Sequence, residues 1–107
     1  MEPTVQEVFV AVFCQVRVAR GTQEDSINLE QRVEQRLEAA GGPPEGLIFL
    51  CVHPEDDGFR IAMVFRSIEA AHAEVDGHLR SEAAEVGIEL GELAVDPVWG
   101  MALPGAY

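Results

Sequence analysis

Three side chains in this 107-residue sequence stand at positions from which they could move a proton or hold an anion: His72, Arg17 and Arg66. His72 falls between Ile68 and Val75 on the apolar stripe of a predicted helix, where an imidazole could accept a proton from a bound phenol or enol. Arg17 and Arg66 each end an apolar strand, and a guanidinium there could bind an anionic or enolate oxygen. The alternatives are a core histidine bonded to a carbonyl, and arginines that pair with some of the 19 acidic residues.

A flat aromatic ligand would need an apolar wall beside these groups. The sequence offers Phe13, Met63, Phe65 and Trp99 for that wall, with Phe59 as a further candidate. The alternative is that most of these residues belong to the ordinary hydrophobic core.

Motifs for several other chemistries are missing. There is no P-loop, GxGxxG, GxSxG, HExxH or paired CxxC, so phosphate, dinucleotide, nucleophile-elbow and zinc chemistry lack support. His72 and His78 are six residues apart and face different sides of a helix, and the acidic turn at 55–58 lacks the further ligands of a calcium loop. We therefore expect neither a metal ion nor a cofactor.

Cys14 and Cys51 lie in apolar strands and are expected to be buried thiols without a disulfide.

Charge and hydropathy exclude two classes of partner. The net charge is -12, and all seven basic residues are arginine, so neither nucleic acid nor an anionic membrane is expected as a partner. The longest apolar run has seven residues, far below the roughly 20 that span a bilayer.

An acid near the start, where a secretory signal is basic, favours a cytoplasmic location. The absence of lysine beside abundant Arg, Ala, Gly and Val is typical of GC-rich bacteria.

The chain is predicted to alternate strands and helices in the order βαββαβ. Apolar, β-branched runs predict strands, and residues recurring at helical spacing between capping residues and glycines predict helices. The predicted elements are a strand at Glu7–Val18, a helix capped by Thr22 and Asp25 with the stripe Leu29, Val33, Leu37 and Ala40, strands at Leu47–His53 and Phe59–Arg66 around a tight turn, a helix capped by Ser67 with a stripe from Ile68 to Val86, a strand at Ile88–Val95, and a tail over 97–107.

This order predicts an α+β fold of the ferredoxin-like, split βαβ type, with a four-stranded antiparallel sheet and two helices on one face, as one domain over 1–107. The first strand is apolar on both sides, so the sheet face without helices should carry an apolar patch. We therefore expect a homodimer in which two sheets pack face to face, as a dimeric α/β barrel.

The segment from Pro44 to Glu74 resembles the core of the antibiotic biosynthesis monooxygenase family of dimeric α/β-barrel proteins. The matching features are the strand start Pro44–Gly46, the Asp57–Gly58 turn, a strand ending at Phe65, and the helix start Ser67–Ala70. The family usually has Trp at the position of Phe65 and often His at the position of Glu74.

The resemblance implies a cofactor-independent monooxygenase acting on a hydroxylated aromatic, polyketide-type small molecule, in which a substrate carbanion reduces O₂. On that interpretation His72 accepts the proton and an arginine stabilises the enolate. Two alternatives remain: a non-oxygenating cyclase or isomerase of secondary metabolism, and a non-catalytic dimer that binds a small molecule or a protein.

Overall fold

The computed structural model describes residues 9–102. The elements are β1 (Ala11–Ala19), α1 (Gln23–Ala40), β2 (Leu47–Glu55), β3 (Gly58–Phe65), α2 (Ile68–Glu74), a π-helical turn (Val75–Leu79), α3 (Arg80–Glu85) and β4 (Ala94–Val98). α2, the π-helical turn and α3 follow one another without a break. Within residues 9–102, none of the helices has the length and hydrophobicity that crossing a membrane would require.

The four strands form one sheet in the order β2-β3-β1-β4. Each neighbouring pair is antiparallel, and the helical segments follow β1 and β3 in the chain. This arrangement confirms the predicted ferredoxin-like α+β fold. The predicted residues Glu7 and Val8 of the first strand, and Leu103 to Tyr107 of the tail, lie outside the described residues.

One face of the sheet forms the core with the helices. Alternate residues of β1 and β3 meet across the sheet on this face, with Cys14 opposite Met63 and Val12 opposite Phe65. Side chains from α1, α2, the π-helical turn and α3 complete the same cluster. The buried helical members are Leu29, Ala71, Val75, Leu79 and Ala83.

The other face, here called the open face, is apolar in one half and charged in the other. Its apolar half includes Phe13, which lies opposite Val64, and Phe49, which is 49% exposed. Its charged half includes Arg17 opposite Arg60. The open face thus carries the expected apolar patch over one half only, because Gln15 and Arg17 of β1 fall on this side.

α1 has the predicted caps but buries little of its predicted stripe. Thr22 and Asp25 form a reciprocal capping box, and Gly41 ends the helix with φ 88°. A positive φ of this kind favours glycine. Leu29 is the buried residue of this helix, whereas Val33 and Leu37 are half-buried and Ala40 is exposed. α1 is therefore held away from part of the sheet.

The second helical region contains the π-helical turn that the sequence pattern did not predict. Its buried residues Ala71, Val75, Leu79 and Ala83 are spaced by four. In a regular α-helix with about 100° per residue, three such steps would rotate Ala83 by about 120° from Ala71. One extra residue in a π turn takes back about 100° of that rotation, which keeps the stripe in line.

The predicted last strand was placed too early. β4 is Ala94–Val98, so Pro97, predicted to start the tail, is in the strand. Pro97 has no N–H to donate and lies on an edge strand, where proline is tolerated. The segment before β4 has no regular secondary structure. A side chain binds it, since Arg80 Nη1 donates to the carbonyls of Leu90 and Gly91, each at 3.0 Å.

Candidate functional site

A cleft of about 680 Å³ lies between α1 and the β2 edge of the sheet. Leu50 and Val52 of β2 line the cleft and are 45% and 44% exposed, because α1 does not cover them. Leu29 and Val33 line it from α1, and Ile61 lines it from β3. We call this space the α1–β2 cleft. Its walls are apolar enough to hold a flat hydrophobic ligand.

Acidic and polar groups of α1 also line the cleft. Ser26, Glu30 and Glu34 are four residues apart and therefore lie along one side of the helix. Glu30 and Glu34 are both exposed. A ligand in the cleft would thus have an apolar body in contact with the walls and hydroxyl or amine groups within reach of carboxylates.

Glu74, a further lining residue of the cleft, belongs to a buried ionic cluster. Arg36 donates to both carboxylate oxygens of Glu74, at 2.9 and 2.8 Å, and to both oxygens of Glu82, at 2.9 Å each. The two carboxylate side chains are 8% and 9% exposed. Hydrogen bonding to Glu82, and then the hydrogen bond and charge of Glu74, raise the pKa of Arg36 despite partial burial. We call this group the Arg36 cluster.

A second cavity of about 780 Å³ lies between the loop that follows α1 and the start of α2. Its lining includes Pro43, Arg66, Glu69 and His78, together with Glu74 of the Arg36 cluster. It contains Arg66, one of the residues that the sequence singled out. Its lining is rich in charged and small residues, which suits a flat aromatic ligand less well than the α1–β2 cleft.

His72 lies on the surface of α2, so its predicted place on the buried stripe was wrong. Its side chain is 51% exposed, and Nδ1 is 2.9 Å from Asp76 Oδ2. Arg80 Nε donates to the other oxygen of Asp76 at 2.9 Å. Hydrogen bonds from His72 and Arg80 lower the pKa of Asp76. The stripe runs through Ala71 instead, one position earlier.

Arg17 lies on the open face, on the side of the sheet away from α2, so it cannot share a site with His72. Arg17 Nη1 donates to Glu55 Oε2 at 3.4 Å, and Nη2 donates to the Asp56 carbonyl at 3.1 Å. Arg60 also donates to Glu55 through Nε and Nη2. Hydrogen bonding to Arg60, with the charges of Arg60 and Arg17, lowers the pKa of Glu55.

The four predicted pocket residues are distributed over three places. Met63 and Phe65 are fully buried in the core, and neither lines the α1–β2 cleft. Phe13 is half-buried on the open face. Trp99 follows β4 and is 75% exposed. Phe59, the further candidate, does line the cleft.

The two cysteines are free thiols. Cys14 is buried on the helical face, and burial followed by the charge of Asp96 raises the pKa of its thiol to about 11. Cys51 lies opposite Ala62 on β3, which places it on the open face. Within residues 9–102, no three His, Cys, Asp or Glu side chains are grouped so that they could hold a metal ion.

The sequence pattern predicted neither the α1–β2 cleft nor the Arg36 cluster. A signal for the cluster was present, since Glu74 and Glu82 fall on or beside the apolar stripe of the second helix, where an unpaired acid is costly. The cleft had no comparable signal. Leu50 and Val52 belong to a strand that reads as buried, and only the position of α1 leaves them uncovered.

Solved structures share this fold. A structure named "putative antibiotic biosynthesis monooxygenase" from Chloroflexus aurantiacus matches 85% of this chain and 96% of its own, at 18% identity and a TM-score of 0.53. A second structure of that name, from Nitrosomonas europaea, matches 91% of this chain and 96% of its own, at 12% identity and a TM-score of 0.53. No model of a known protein family matches the sequence, and no curated protein matches it. The fold expected from the resemblance is thus confirmed.

Proposed function

We propose that this protein is a cofactor-independent monooxygenase of the antibiotic-biosynthesis type, and that a flat hydroxylated aromatic molecule binds in the α1–β2 cleft. The observation that carries the proposal is the cleft itself. It is an apolar space of about 680 Å³, in a fold shared with structures named as monooxygenases of this type. Its volume falls within the range of small-molecule sites.

The reaction converts an activated ring CH₂ to a carbonyl. The substrate CH₂ loses a proton, the resulting carbanion transfers electrons to O₂, and one oxygen atom enters the carbonyl while the other leaves as water. The cleft contributes apolar walls against which the aromatic ring of the carbanion can pack. Glu30 and Glu34 are the carboxylates of α1 that line it, and they are the candidates to receive the proton that the substrate CH₂ loses.

A second candidate function is binding without turnover. It is favoured by the lining of the cleft, which contains no arginine, although all seven arginines are among the described residues. An enolate in the cleft would have no guanidinium to stabilise it. A cyclase or isomerase would face the same difficulty, so binding alone is the stronger of the two alternatives to oxygenation.

The assembly that we propose is a homodimer packed through the apolar half of the open face. Phe49 is 49% exposed there, and Phe13 and Val64 lie between the edge strands on the same side. Large exposed apolar patches on a soluble domain are typical of interfaces. Because the α1–β2 cleft lies on the helical side, such a dimer would leave it accessible.

Oxygen uptake by chelator-treated protein tests the activity. We expect a panel of anthrones to include a substrate that consumes one O₂ for each carbonyl formed, at a rate well above that of a protein-free blank. Val52→Trp should fill the cleft and lower the rate by about tenfold or more. Phe49→Trp, on the same strand but on the open face, is the matched control and should keep the rate.

Three outcomes would contradict the proposal. Saturable binding without oxygen uptake would favour the binding module. Product formation without oxygen uptake would favour a cyclase or isomerase. Uptake that is unchanged in Val52→Trp would place the chemistry outside the cleft.

A further inference from the structure

No arginine lines the α1–β2 cleft. All seven arginines lie within the described residues, and the chain has no lysine. None of these arginines lines the cleft. His53 is at the cleft edge, but its register position opposite Arg60 directs it to the open face.

The charges that do line the cleft are negative. Glu30 and Glu34 lie on its α1 side and Glu74 lies on its inner wall. Arg36 is the cation beside that wall, and it is shared between the carboxylates of Glu74 and Glu82. Two carboxylates and one guanidinium leave the Arg36 cluster with a net negative charge.

The amino-terminal end of α1 does not offset this charge. Thr22 and Gln23 line the cleft there, where a helix presents partly positive N–H groups. Glu24 and Asp25 occupy the first turn, and Asp25 Oδ2 accepts the Thr22 N–H at 3.0 Å. These carboxylates offset the partial positive charge at the amino-terminal end of α1, so that end does not attract an anionic ligand.

The rest of the cleft offers an anionic ligand no cationic group to replace the solvation that it loses on binding. A carboxylate moved from water to an apolar wall loses its solvation, and without a basic partner that loss is uncompensated. A protonated amine in the same place meets carboxylates that hydrogen-bond to it and carry the opposite charge.

On the basis of the proposed cleft site, we infer that the ligand is a flat aromatic molecule that carries a protonated amine, and that the cleft rejects the matching carboxylate. The aromatic ring lies between Leu29 and the exposed side chains Leu50 and Val52. The ammonium group lies toward Glu30 and Glu34. In the proposed oxygenation, this ammonium group supplies the positive charge that the protein does not place beside the carbanion.

Three probes with the same ring system test the inference: 2-naphthylmethylamine, 2-naphthol and 2-naphthoic acid. Their dissociation constants are measured by calorimetry at pH 7.5 and low ionic strength. We expect the amine to bind at least about tenfold more tightly than the carboxylate, with the neutral naphthol between them, and the difference to shrink at high salt.

Two double variants assign the selectivity to the cleft. Glu30→Gln/Glu34→Gln should bring the affinities of the amine and the carboxylate to within about threefold of each other. Glu89→Gln/Glu92→Gln is the matched control, because it removes the same charge from two exposed positions that do not line the cleft. It should keep the difference.

Each other outcome overturns the inference in a distinguishable way. Equal affinities for amine and carboxylate, with binding lost in Val52→Trp, would leave the cleft as the binding site and refute only the charge selection. Equal effects of the two double variants would assign the selectivity to net charge. Binding that survives Val52→Trp, or no binding of any probe, would refute the cleft site as well.

Discussion

Glu74 and Glu82 are eight residues apart and bind the same guanidinium, that of Arg36. In a regular α-helix, at about 100° per residue, they would be separated by about 80° around the axis. The π-helical turn between them takes back about 100°, which brings them to within about 20° of each other. The turn therefore serves both the apolar stripe and the ionic cluster beside it.

Replacing Arg36 should be among the most destabilising changes in the protein. Arg36→Met leaves two buried carboxylates without a partner, and we expect the free energy of unfolding to fall by about 3 kcal/mol or more. Arg32→Met removes an exposed partner of Glu85 and should cost less than about 1 kcal/mol. Urea denaturation of both variants checks the contrast, and equal losses would refute a special role for the Arg36 cluster.

Gly77 in the π-helical turn should tolerate a side chain. A Cβ there would contact nothing within 4 Å, so Gly77→Ala should raise the free energy of unfolding by about 0.5 to 1 kcal/mol through loss of unfolded-state entropy. Gly87 is the control, because its φ of 85° makes Gly87→Ala unfavourable by about 1 kcal/mol. Thermal unfolding of the two variants should show shifts of opposite sign.

His72→Ala should leave oxygen uptake within about twofold of the original protein, because the structure places His72 on the helix surface beside Asp76. The measurement uses the substrate found in the uptake panel. A loss of about 100-fold, the scale expected for a general base, would instead return the proton acceptor to α2 and refute the assignment to the α1–β2 cleft.

Phe49→Glu should dissociate the proposed dimer, because it places a charge in the apolar half of the open face. Val52→Glu is the control, since Val52 lies on the same strand and is similarly exposed but faces the helical side. Sedimentation velocity should give a monomer for the first variant and a dimer for the second. A monomeric original protein at micromolar concentration would refute the proposed assembly.

The Cys14 thiol should be protected from reagents and should make stability depend on alkaline pH. Its pKa is raised from 9.0 to about 11, so the folded state holds more protons than the unfolded state between these values. The free energy of unfolding should therefore fall as the pH rises from about 9 toward 11. This slope should be weaker in Cys14→Ala. In Cys51→Ser, a thiol reagent at pH 8 should react with Cys14 only after denaturation.

Patterns that depend on neighbouring residues were predicted well. The order of strands and helices along the chain, the capping box at Thr22, the cap at Ser67 and the turn at Asp57 follow from residue spacing and local backbone preferences. These features are set within a few residues, so the sequence carries them directly.

Features that depend on distant segments were not predicted. Regular α-helical spacing predicts His72 on the buried stripe, whereas the stripe runs through Ala71 and leaves His72 exposed. Ile88 and Leu90 predict a strand that begins before the observed β4. In the structure Leu90 is buried in a segment without regular secondary structure, and its carbonyl accepts a hydrogen bond from Arg80.

The sequence by itself therefore determined the order of the elements, their caps and the acidic character of the surface, since periodicity and composition are local or additive properties. The tertiary structure alone decided where the candidate site lies. The gap between α1 and β2 depends on how the helices pack over the sheet, and the sharing of Arg36 depends on a one-residue rotation within the second helical region. Neither is expressed in the spacing of residues along one element, because each is set by contacts between segments far apart in the chain.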